Sequence, residues 1–431
     1  MTHIPEAEKE WKAFDKRIRS ATLARRKLPL KPLSGEEKDD RLRDLFSTAT
    51  NFSDRVIYVN IPFCNKLCSF CIYNKMLLDN DKIPERYFRV LNRHITSRAE
   101  TEWARSLPFR AVYFGGGTPT AVATHYIVST LELIKKHYPL SEDCEITVES
   151  TITDIDNESL SDLKKAGVNR ISLGVQTFCN PLRNSIGRNS DREDIIRTIE
   201  LIKRNGITDI CIDLMYNFEG QDIESWHSDI EQATRLPITS CSVYPLITMA
   251  NSSPQLLKET DQELEKEYDF FILADRSLPL KKGWKRITPV QYGHATDGRS
   301  VYVSSHGQSA DIMAFGAGAA GRRDNLTYLQ TSDVNKFIDN SSAGITLLET
   351  DERFLLLRKI YLLSEGLRIT DDEYNPIKKY FEGIISGYRS KGLIRSSGNT
   401  LELTRSGRFW AGNLSAVFSE RISEVISDSI I

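Results

Sequence analysis

Short runs of β-branched and aromatic residues alternate with amphipathic segments along most of the chain. The first run, Arg55–Ile61, stops at Pro62, and its composition is typical of a buried strand. Between such runs, apolar residues recur every three or four positions, which predicts helices. One of these helices should end at Asn205-Gly206, a dipeptide that favours a C-cap. The predicted strands are 55–61, 109–114, 144–149, 170–175, 208–214 and 239–244, and the predicted helices include 83–103, 124–137, 157–166 and 191–205.

This alternation predicts an α/β fold. Six strand–helix units in succession favour a parallel, right-handed partial (βα)6 barrel over residues 51–342. Residues 1–50 are expected to form an N-terminal helical extension or a lid. Residues 343–431 are expected to form a mostly helical C-terminal domain, in which amphipathic helices precede two short strands, a winged-helix-like pattern. Because no dense basic helix accompanies that pattern, we expect no nucleic-acid partner.

Composition narrows the classes of protein that remain. The chain has 431 residues, 40% of them hydrophobic and 27% charged, which excludes disorder and coiled coil as the main architecture. The 57 basic and 59 acidic residues give a net charge of −2, so a general polyanion binder is not expected. No run approaches the roughly 18 apolar residues that span a bilayer, and residues 1–10 do not resemble a secretory signal. We therefore expect no membrane span and a cytoplasmic location.

Three of the seven cysteines stand close together, in Cys64-Asn65-Lys66-Leu67-Cys68-Ser69-Phe70-Cys71. In a long chain without an export signal, cysteines favour metal or redox chemistry over disulfides. Position 73 is Tyr73, and no other cysteine or histidine lies nearby. The triplet therefore suggests an iron–sulfur cluster with one open iron, and the alternatives are an incomplete zinc knuckle or packed core cysteines. The loop directly follows the first predicted strand, where α/β barrels build active sites.

Polar and glycine residues gather at the ends of the later predicted strands. The run 114–120 begins with Phe114 and contains three glycines, whose missing Cβ atoms let the backbone approach a ligand. Each polar residue alone could be an ordinary solvated strand end. Three such residues stand at the ends of successive predicted strands: Glu149, Gln176 and Asp213. Arg188 lies in the loop after Gln176.

The run 58–64 followed by the cysteine triplet resembles the radical S-adenosylmethionine (SAM) superfamily, and more narrowly the branch of oxygen-independent coproporphyrinogen III dehydrogenase. The resemblance implies that Cys64, Cys68 and Cys71 hold a [4Fe-4S] cluster whose fourth iron binds SAM. It also implies that electron transfer from the cluster cleaves SAM to methionine and a 5′-deoxyadenosyl radical. An electron donor such as flavodoxin or ferredoxin, and anaerobic conditions, follow from the same resemblance.

The resemblance also assigns roles to the strand-end residues. Gly116, Gly117 and Thr118 would bind the amino group of SAM, and Arg188 its carboxylate. Gln176, Asp213 and Glu149 would bind ribose or amino groups, while Phe70 and Ile247 would flank the adenine. A second SAM could lie beside the first, near Tyr58, Glu149 and the glycine-rich run 314–321, which contains Ala319; a tight turn is the alternative for that run. Tyr58 and Glu149 are the predicted catalytic residues.

The remaining cysteines and two histidines carry weaker expectations. Cys144, Cys211 and Cys241 fall within predicted strands and should pack as small apolar residues; Cys179 is also isolated. His294 and His306 could ligate a haem iron or move protons, but isolated histidines are more often exposed or hydrogen-bonded.

Departures from the dehydrogenase pattern bear on the substrate. Tyr73 replaces a fourth cysteine, and the segments 138–147, 287–294 and 315–318 look more like the anaerobic haem-utilisation (anaerobilin synthase) group. This resemblance implies class C-type radical methyl transfer to a tetrapyrrole such as haem, with ring opening and iron release. The alternatives are radical C-methylation or cyclopropanation of a small heteroaromatic molecule, coproporphyrinogen decarboxylation, and a non-catalytic haem chaperone.

Overall fold

The computed structural model describes residues 11–20, 24, 30–79, 82–247, 261–294, 300–307, 310–339 and 344–427. Eighteen strands occur in these ranges. The first nine are β1 (Lys31–Leu33), β2 (Arg55–Ile61), β3 (Phe63–Cys64), β4 (Met76–Leu77), β5 (Phe109–Gly116), β6 (Leu140–Ser150), β7 (Arg170–Gln176), β8 (Asp209–Tyr216) and β9 (Ser240–Pro245). The others are β10 (Trp284–Arg286), β11 (Gln291–His294), β12 (Asp311–Phe315), β13 (Ala320–Arg323), β14 (Leu326–Gln330), β15 (Ile345–Glu349), β16 (Ile369–Thr370), β17 (Ile394–Ser397) and β18 (Thr400–Leu403).

Helices follow most of the strands. Those of the first part are α1 (Gly35–Ser47), α2 (Lys82–Arg98), α3 (Glu102–Arg105), α4 (Thr124–His137), α5 (Asn157–Ala166), α6 (Asn180–Ser185), α7 (Arg192–Arg204), α8 (Ile223–Arg235) and α9 (Asp261–Ser277). Those of the second part are α10 (Val301–Gly307), α11 (Val334–Ile338), α12 (Arg353–Leu357), α13 (Tyr361–Ser364), α14 (Asp371–Tyr374), α15 (Lys378–Ser390), α16 (Arg405–Phe409) and α17 (Ala411–Ser427). No helix within the described ranges is long and apolar enough to cross a membrane.

The central sheet has thirteen strands, and its middle is parallel, as predicted. All six predicted strands are present as β2 and β5–β9, each parallel to its neighbour. A seventh strand, β12, pairs in parallel with the other edge of β2. Their side chains are buried in long apolar runs because helices cover the outer face. The α/β fold and the open order of the sheet agree with the expected partial barrel.

Aspartates fix where three of the covering helices begin. Asp156, Asp191 and Asp222 each accept a hydrogen bond from the backbone N–H three residues ahead, and a side chain at that position returns one. These reciprocal pairs satisfy N–H groups that a helix end leaves open. Helix α5 therefore starts a few residues after β6, and α8 a few residues after β8. Helix α7 starts after the loop that follows β7. Each of these loops thus stays at the carboxyl end of the sheet.

Antiparallel strands extend both edges of the sheet, which the sequence analysis did not predict. Strands β11 and β10 follow β9, and β13, β14, β15 and β1 follow β12. Residues 345–349, expected to be helical, form β15 because Leu347 is buried between Tyr328 of β14 and Leu33 of β1. The sheet therefore continues beyond both ends of the predicted barrel range 51–342. The predicted boundary at 342–343 lies outside the described residues, and the division into domains stays a prediction.

The C-terminal part combines helices with a small sheet. Strands β16, β18 and β17 pair antiparallel in that order, and α15 and α16 pack beside them. This matches the expected winged-helix-like composition, with one strand more than predicted.

The N-terminal residues 11–20 lie between this C-terminal part and helix α9. The ring of Trp11 stacks on Tyr268, with centroids 4.4 Å apart, and the indole nitrogen of Trp410 donates a 2.6 Å hydrogen bond to the Trp11 carbonyl. A Cβ at Gly412 would overlap the carbonyl oxygen of Ile18, so the close approach requires glycine there. Residues 11–18 are thereby held against residues 410–412.

Candidate active site

A cavity of about 850 Å³ opens at the carboxyl ends of the parallel strands. Its size is in the range of small-molecule sites, and its position is where α/β barrels place their chemistry. Of the predicted site residues, those that line it are Tyr58, Cys64, Cys68, Phe70, Cys71, Gly116, Gly117, Thr118, Glu149, Gln176, Arg188, Asp213 and Ile247.

Ala319 does not line this cavity. Its neighbours Gly318 and Ala320 do, whereas Ala319 itself is 1% exposed and belongs to the hydrophobic core. The backbone turns at this point, because the N–H of Ala319 donates to the Gly316 carbonyl and that of Gly318 to Thr331. The turn directs the side chain of Ala319 inward, so a contact with a ligand would come from its neighbours.

The cysteine loop is held on both sides by hydrogen bonds to other loops. Asn65 donates to the Asp154 carboxylate at 2.9 Å, and the Lys66 ammonium donates to the Asn189 amide oxygen at 2.7 Å. Lys75 donates to the Cys71 carbonyl at 2.7 Å. These bonds position the three thiols relative to the carboxyl ends of β6 and β7.

The donor set fits a cluster better than a single metal ion. Within the described residues, no three cysteine, histidine or acidic side chains converge closely enough to hold one ion. A [4Fe-4S] cluster binds each thiolate to a different iron, so its three sulfurs need not converge on one atom. Burial raises the pKa of the Cys64 thiol, a hydrogen bond from Thr118 lowers it, and the nearby Cys71 and Cys68 raise it further. A bound metal would remove that proton.

The glycine run at the end of β5 lets the backbone pass close to the cysteine loop. A Cβ at Gly117 would lie 2.6 Å from the Phe63 carbonyl oxygen and 3.0 Å from the Cys64 sulfur. Gly116 has a φ of +116°, and a Cβ there would overlap the amide oxygen of Asn60. Both positions therefore exclude other residues, and the polar backbone of the run faces the cavity.

Glu149 is an acid of the cavity whose carboxylate accepts two hydrogen bonds. The phenol of Tyr113 donates a 2.6 Å hydrogen bond to one carboxylate oxygen, and the N–H of Gly116 donates a 3.2 Å bond to the other. Burial raises the pKa of Glu149 to about 7, the Tyr113 bond opposes the shift, and nearby Asp213 adds to it. Burial also raises the pKa of Asp213 to about 6, against a lowering hydrogen bond from Ser242. Glu149 can therefore gain or lose a proton near neutral pH.

An apolar corner lies on the side of the cavity that carries Phe70. Phe70 packs edge-on against Phe218 in a small cluster with Ile186 and Leu246, and the Arg188 guanidinium lies 6.0 Å from the Phe70 ring centre. Gln176 follows at the end of β7 with a φ of +67°, and its amide oxygen is buried without a hydrogen-bond partner in the described part of the chain. A buried acceptor of this kind suits a site completed by a ligand's donor.

A wall rich in arginine borders another part of the cavity. Arg17 and Arg19 donate to the fully buried carboxylate of Glu267, at 2.6 and 2.7 Å. Arg408 also lines the cavity, and it donates to Asp275 at 2.8 Å. Asp275 has two further partners away from the cavity lining, Arg405 and Arg286. Around these two carboxylates the positive charges outnumber the negative ones.

Residues 58–233 match the sequence profile of the Radical SAM superfamily. The matched range contains the cysteine triplet, the glycine run, and the strand-end residues that line the cavity. The chain carries a radical SAM domain. Proteins of this superfamily use a [4Fe-4S] cluster and SAM, which agrees with the predicted cofactors.

Two named proteins and one crystal structure are similar to this chain well beyond residues 58–233. Anaerobilin synthase of Escherichia coli O157:H7 is 28% identical over 411 residues, which cover 93% of this chain and 92% of the relative. The heme chaperone HemW of Bacillus subtilis is 26% identical over 379 residues, 84% of this chain and 98% of the relative. The crystal structure of coproporphyrinogen III oxidase (HemN) of Escherichia coli superposes with a TM-score of 0.71 at 20% identity, covering 85% and 90% of the two chains. This superposition shows that the fold is shared.

Several residues that line the cavity were not predicted from the sequence. Tyr113 and Tyr302 lie beside Tyr58 in the cavity, and Arg17, Arg19 and Arg408 form its wall. Tyr113 did carry a signal, since it precedes the glycine run by two positions and thus faces the same side of β5 as Gly115. The arginines carried none, because residues 17–19 and 408 meet only through the tertiary fold.

The remaining expectations have mixed outcomes. Cys144, Cys211 and Cys241 are buried, as expected, although Cys211 also borders the cavity, and Cys179 is half-buried. His294 lies in β11 against Trp284 and is not part of the cavity lining. The side chain of His306 lies outside the described part of the structure.

Proposed function

We propose that this protein is a radical SAM methyltransferase that acts on a tetrapyrrole such as haem, with ring opening and release of iron. One observation carries the proposal: a single cavity joins the three cysteines and the strand-end residues to aromatic side chains and to the wall of Arg17, Arg19 and Arg408. A tetrapyrrole has a flat, largely apolar body with carboxylate groups at its edge. Aromatic surfaces suit the body, and arginines suit the carboxylates.

The extent of the likeness to anaerobilin synthase supports this choice. The similarity covers 93% of this chain and 92% of the relative, so it extends well beyond residues 58–233, the part that matches the radical SAM profile. Similarity limited to residues 58–233 would have supported the cofactors alone, because folds keep cofactor sites while substrates change.

Several of the cavity-lining residues have separate roles in the proposed reaction. Cys64, Cys68 and Cys71 would hold the [4Fe-4S] cluster, which when bound and reduced would supply the electron for cleavage of SAM to methionine and a 5′-deoxyadenosyl radical. Arg188 holds the SAM carboxylate through its forked guanidinium, and the backbone of Gly116 and Gly117 approaches the amino group.

Glu149 and the aromatic residues complete the site. Glu149 holds or releases a proton at its carboxylate, while Phe70 and Ile247 flank the adenine. A second SAM near Tyr58 would provide the methyl group, and an electron donor such as flavodoxin or ferredoxin would reduce the cluster.

A haem chaperone is the second candidate, because the HemW likeness spans 84% of this chain and 98% of that relative. The two functions share haem binding and differ in whether SAM is consumed. The test is to reconstitute the cluster anaerobically, add a reductant, SAM and haem, and measure 5′-deoxyadenosine, S-adenosylhomocysteine and the Soret absorbance.

The results distinguish methyl transfer to haem from the other candidate functions. Both SAM products together with loss of the Soret band and a methylated linear tetrapyrrole support the proposal. Both products with an intact Soret band indicate another methyl acceptor, such as a small heteroaromatic molecule. Deoxyadenosine without S-adenosylhomocysteine indicates decarboxylation of coproporphyrinogen or uncoupled turnover, and haem binding without SAM cleavage indicates the chaperone.

A further inference from the structure

A short helix, α10, lies against the inner faces of β2 and β5, beside the proposed reaction site. Its first turn is held by Glu145, whose carboxylate accepts hydrogen bonds from the Ser300 hydroxyl at 2.9 Å and from the Val301 N–H at 2.8 Å. Glu145 and Glu149 are four residues apart on β6, so their side chains face the same side of the sheet. One strand therefore holds both the helix and the carboxylate of the site.

Tyr302 brings this helix into contact with the site residues. Its ring centre lies 4.2 Å from that of Tyr113 at an interplanar angle of 25°, and 5.4 Å from that of Tyr58 at 15°. Tyr58 and Tyr113 are register partners on adjacent strands, so the ring of Tyr302 lies across both. Tyr113 in turn donates its hydrogen bond to Glu149. Contacts thus run without a break from Glu145 through the helix and two rings to Glu149.

We propose that Tyr302 is a positioning residue of the reaction, whose ring holds Tyr113 against Glu149 and excludes water from the inner side of that carboxylate. The inference deepens the proposed function and rests on it, because it assigns a role to Glu149 in the same site. It adds a residue from outside the radical SAM domain, on a segment without regular pattern in the sequence.

The surroundings of Glu149 explain why such shielding matters. Among the described residues, the titratable groups that face it are Tyr58 on β2, Tyr113 on β5, Asp213 on β8, Tyr73 just after the cysteine loop and Tyr302 on the helix, and none of these is a cation. Burial is the largest influence on its pKa, and the Tyr113 hydrogen bond is a smaller, opposing one. Loss of the Tyr302 ring should admit water and loosen that bond, and because burial dominates, the pKa should fall.

Infrared titration of the full-length protein tests the inference without turnover. The carboxylic acid band of protonated Glu149 is identified as the band that disappears in Glu149→Gln. Its titration midpoint is then compared between the wild type, Tyr302→Leu and Tyr302→Phe. Tyr126→Leu is the matched control, because Tyr126 also stacks on a ring, 4.7 Å from Phe88, but away from the cavity.

The expected result is a midpoint lowered by about one pH unit in Tyr302→Leu and unchanged in Tyr302→Phe and Tyr126→Leu. An unchanged midpoint in Tyr302→Leu overturns the inference. A shift in Tyr302→Phe as large as in Tyr302→Leu also overturns it, because the hydroxyl rather than the ring would then be responsible. Should Tyr302→Leu fail to fold, Glu145→Gln provides the test, since it weakens the hold on the helix and should shift the midpoint in the same direction by less.

Measurements of SAM turnover distinguish a failure of this inference from a failure of the proposed function. The rate of 5′-deoxyadenosine formation from SAM is measured against pH with and without haem. A protein that cleaves SAM but leaves haem intact contradicts methyl transfer to haem, while a displaced pH profile in Tyr302→Leu still supports the role of Tyr302. A protein that does not cleave SAM contradicts the enzymatic function, and the infrared midpoints then decide the inference alone.

Discussion

The phenol of Tyr113 donates a 2.6 Å hydrogen bond to the carboxylate of Glu149, which lies 36 positions later on the neighbouring parallel strand. The other oxygen of the same carboxylate accepts from Gly116, two residues before Thr118. The bond from Gly116 therefore joins Glu149 to the glycine run that is predicted to bind SAM. This contact has a consequence for the pH dependence of SAM binding.

SAM should bind more tightly as the pH rises through about 7, the pKa of Glu149. Below this pH the carboxyl is protonated and neutral, whereas above it the ionised group attracts the positively charged SAM. We expect affinity to increase about fivefold between pH 6 and pH 8, measured by anaerobic calorimetry on the reconstituted protein. Glu149→Gln should lose this part of the dependence, and an equally steep increase in that variant would contradict the assignment.

Cys68→Ala should prevent cluster assembly, because two thiolates remain where three are required. We expect at least about tenfold less iron and sulfide per chain after reconstitution, loss of the visible cluster absorbance, and no SAM cleavage. Cys179→Ala is the control, since that thiol is half-buried and lies away from the cavity. Retention of the cluster in Cys68→Ala, or its loss in Cys179→Ala, would show that different cysteines bind the iron.

Gly116→Ala should weaken SAM binding as well as stability, whereas Gly167→Ala should affect stability alone. Both glycines have a positive φ, +116° and +105°, and this backbone conformation alone should cost each substitution about 1 kcal/mol of unfolding free energy. A Cβ at Gly116 would also overlap the amide of Asn60, but the nearest atom to a Cβ at Gly167 is 3.5 Å away. Thermal unfolding and SAM titration of both variants would detect this difference, and equal SAM affinity would argue against a ligand at Gly116.

Arg408→Gln should weaken haem binding about tenfold through loss of a charged partner for a carboxylate. Arg286→Gln should have less than about a twofold effect, because Arg286 also pairs with Asp275 but does not line the cavity. Absorbance titration with haem and with its dimethyl ester measures both effects. If Arg408→Gln weakens the ester as much as the free acid, the arginine acts through the fold and not through the carboxylate.

The sequence was sufficient for the parallel core and for the cysteine loop. Each strand of the core is an apolar run long enough to recognise alone, and the triplet Cys64, Cys68 and Cys71 lies within eight residues. Strands such as β15 escaped prediction because a five-residue segment is ambiguous until its partners are known. Leu347 pairs with Tyr328 and Leu33, which a local sequence pattern does not reveal.

Local sequence motifs were sufficient to predict several of the residues that line the site. Glu149, Gln176 and Asp213 were found because strand ends follow a regular spacing, and all three line the cavity. Ala319 was placed at the cavity from its glycine-rich surroundings, but the direction of a side chain in a turn depends on backbone hydrogen bonds that sequence does not reveal. Tyr302 lies on a helix of seven residues, whose position depends on a distant partner, Glu145.

The arginine wall has a consequence for the order of folding. The indole of Trp410 is bonded to the carbonyl of Trp11 across 399 positions, and the wall includes residues on both sides of that bond. During synthesis the cysteine loop and the parallel strands emerge long before residues 408–412, so a nascent chain can complete the parallel core while that side of the cavity remains open. Arg408 therefore joins Arg17, Arg19 and the strand-end residues only once residues 408–412 have been synthesised, so the complete cavity lining forms after the parallel core.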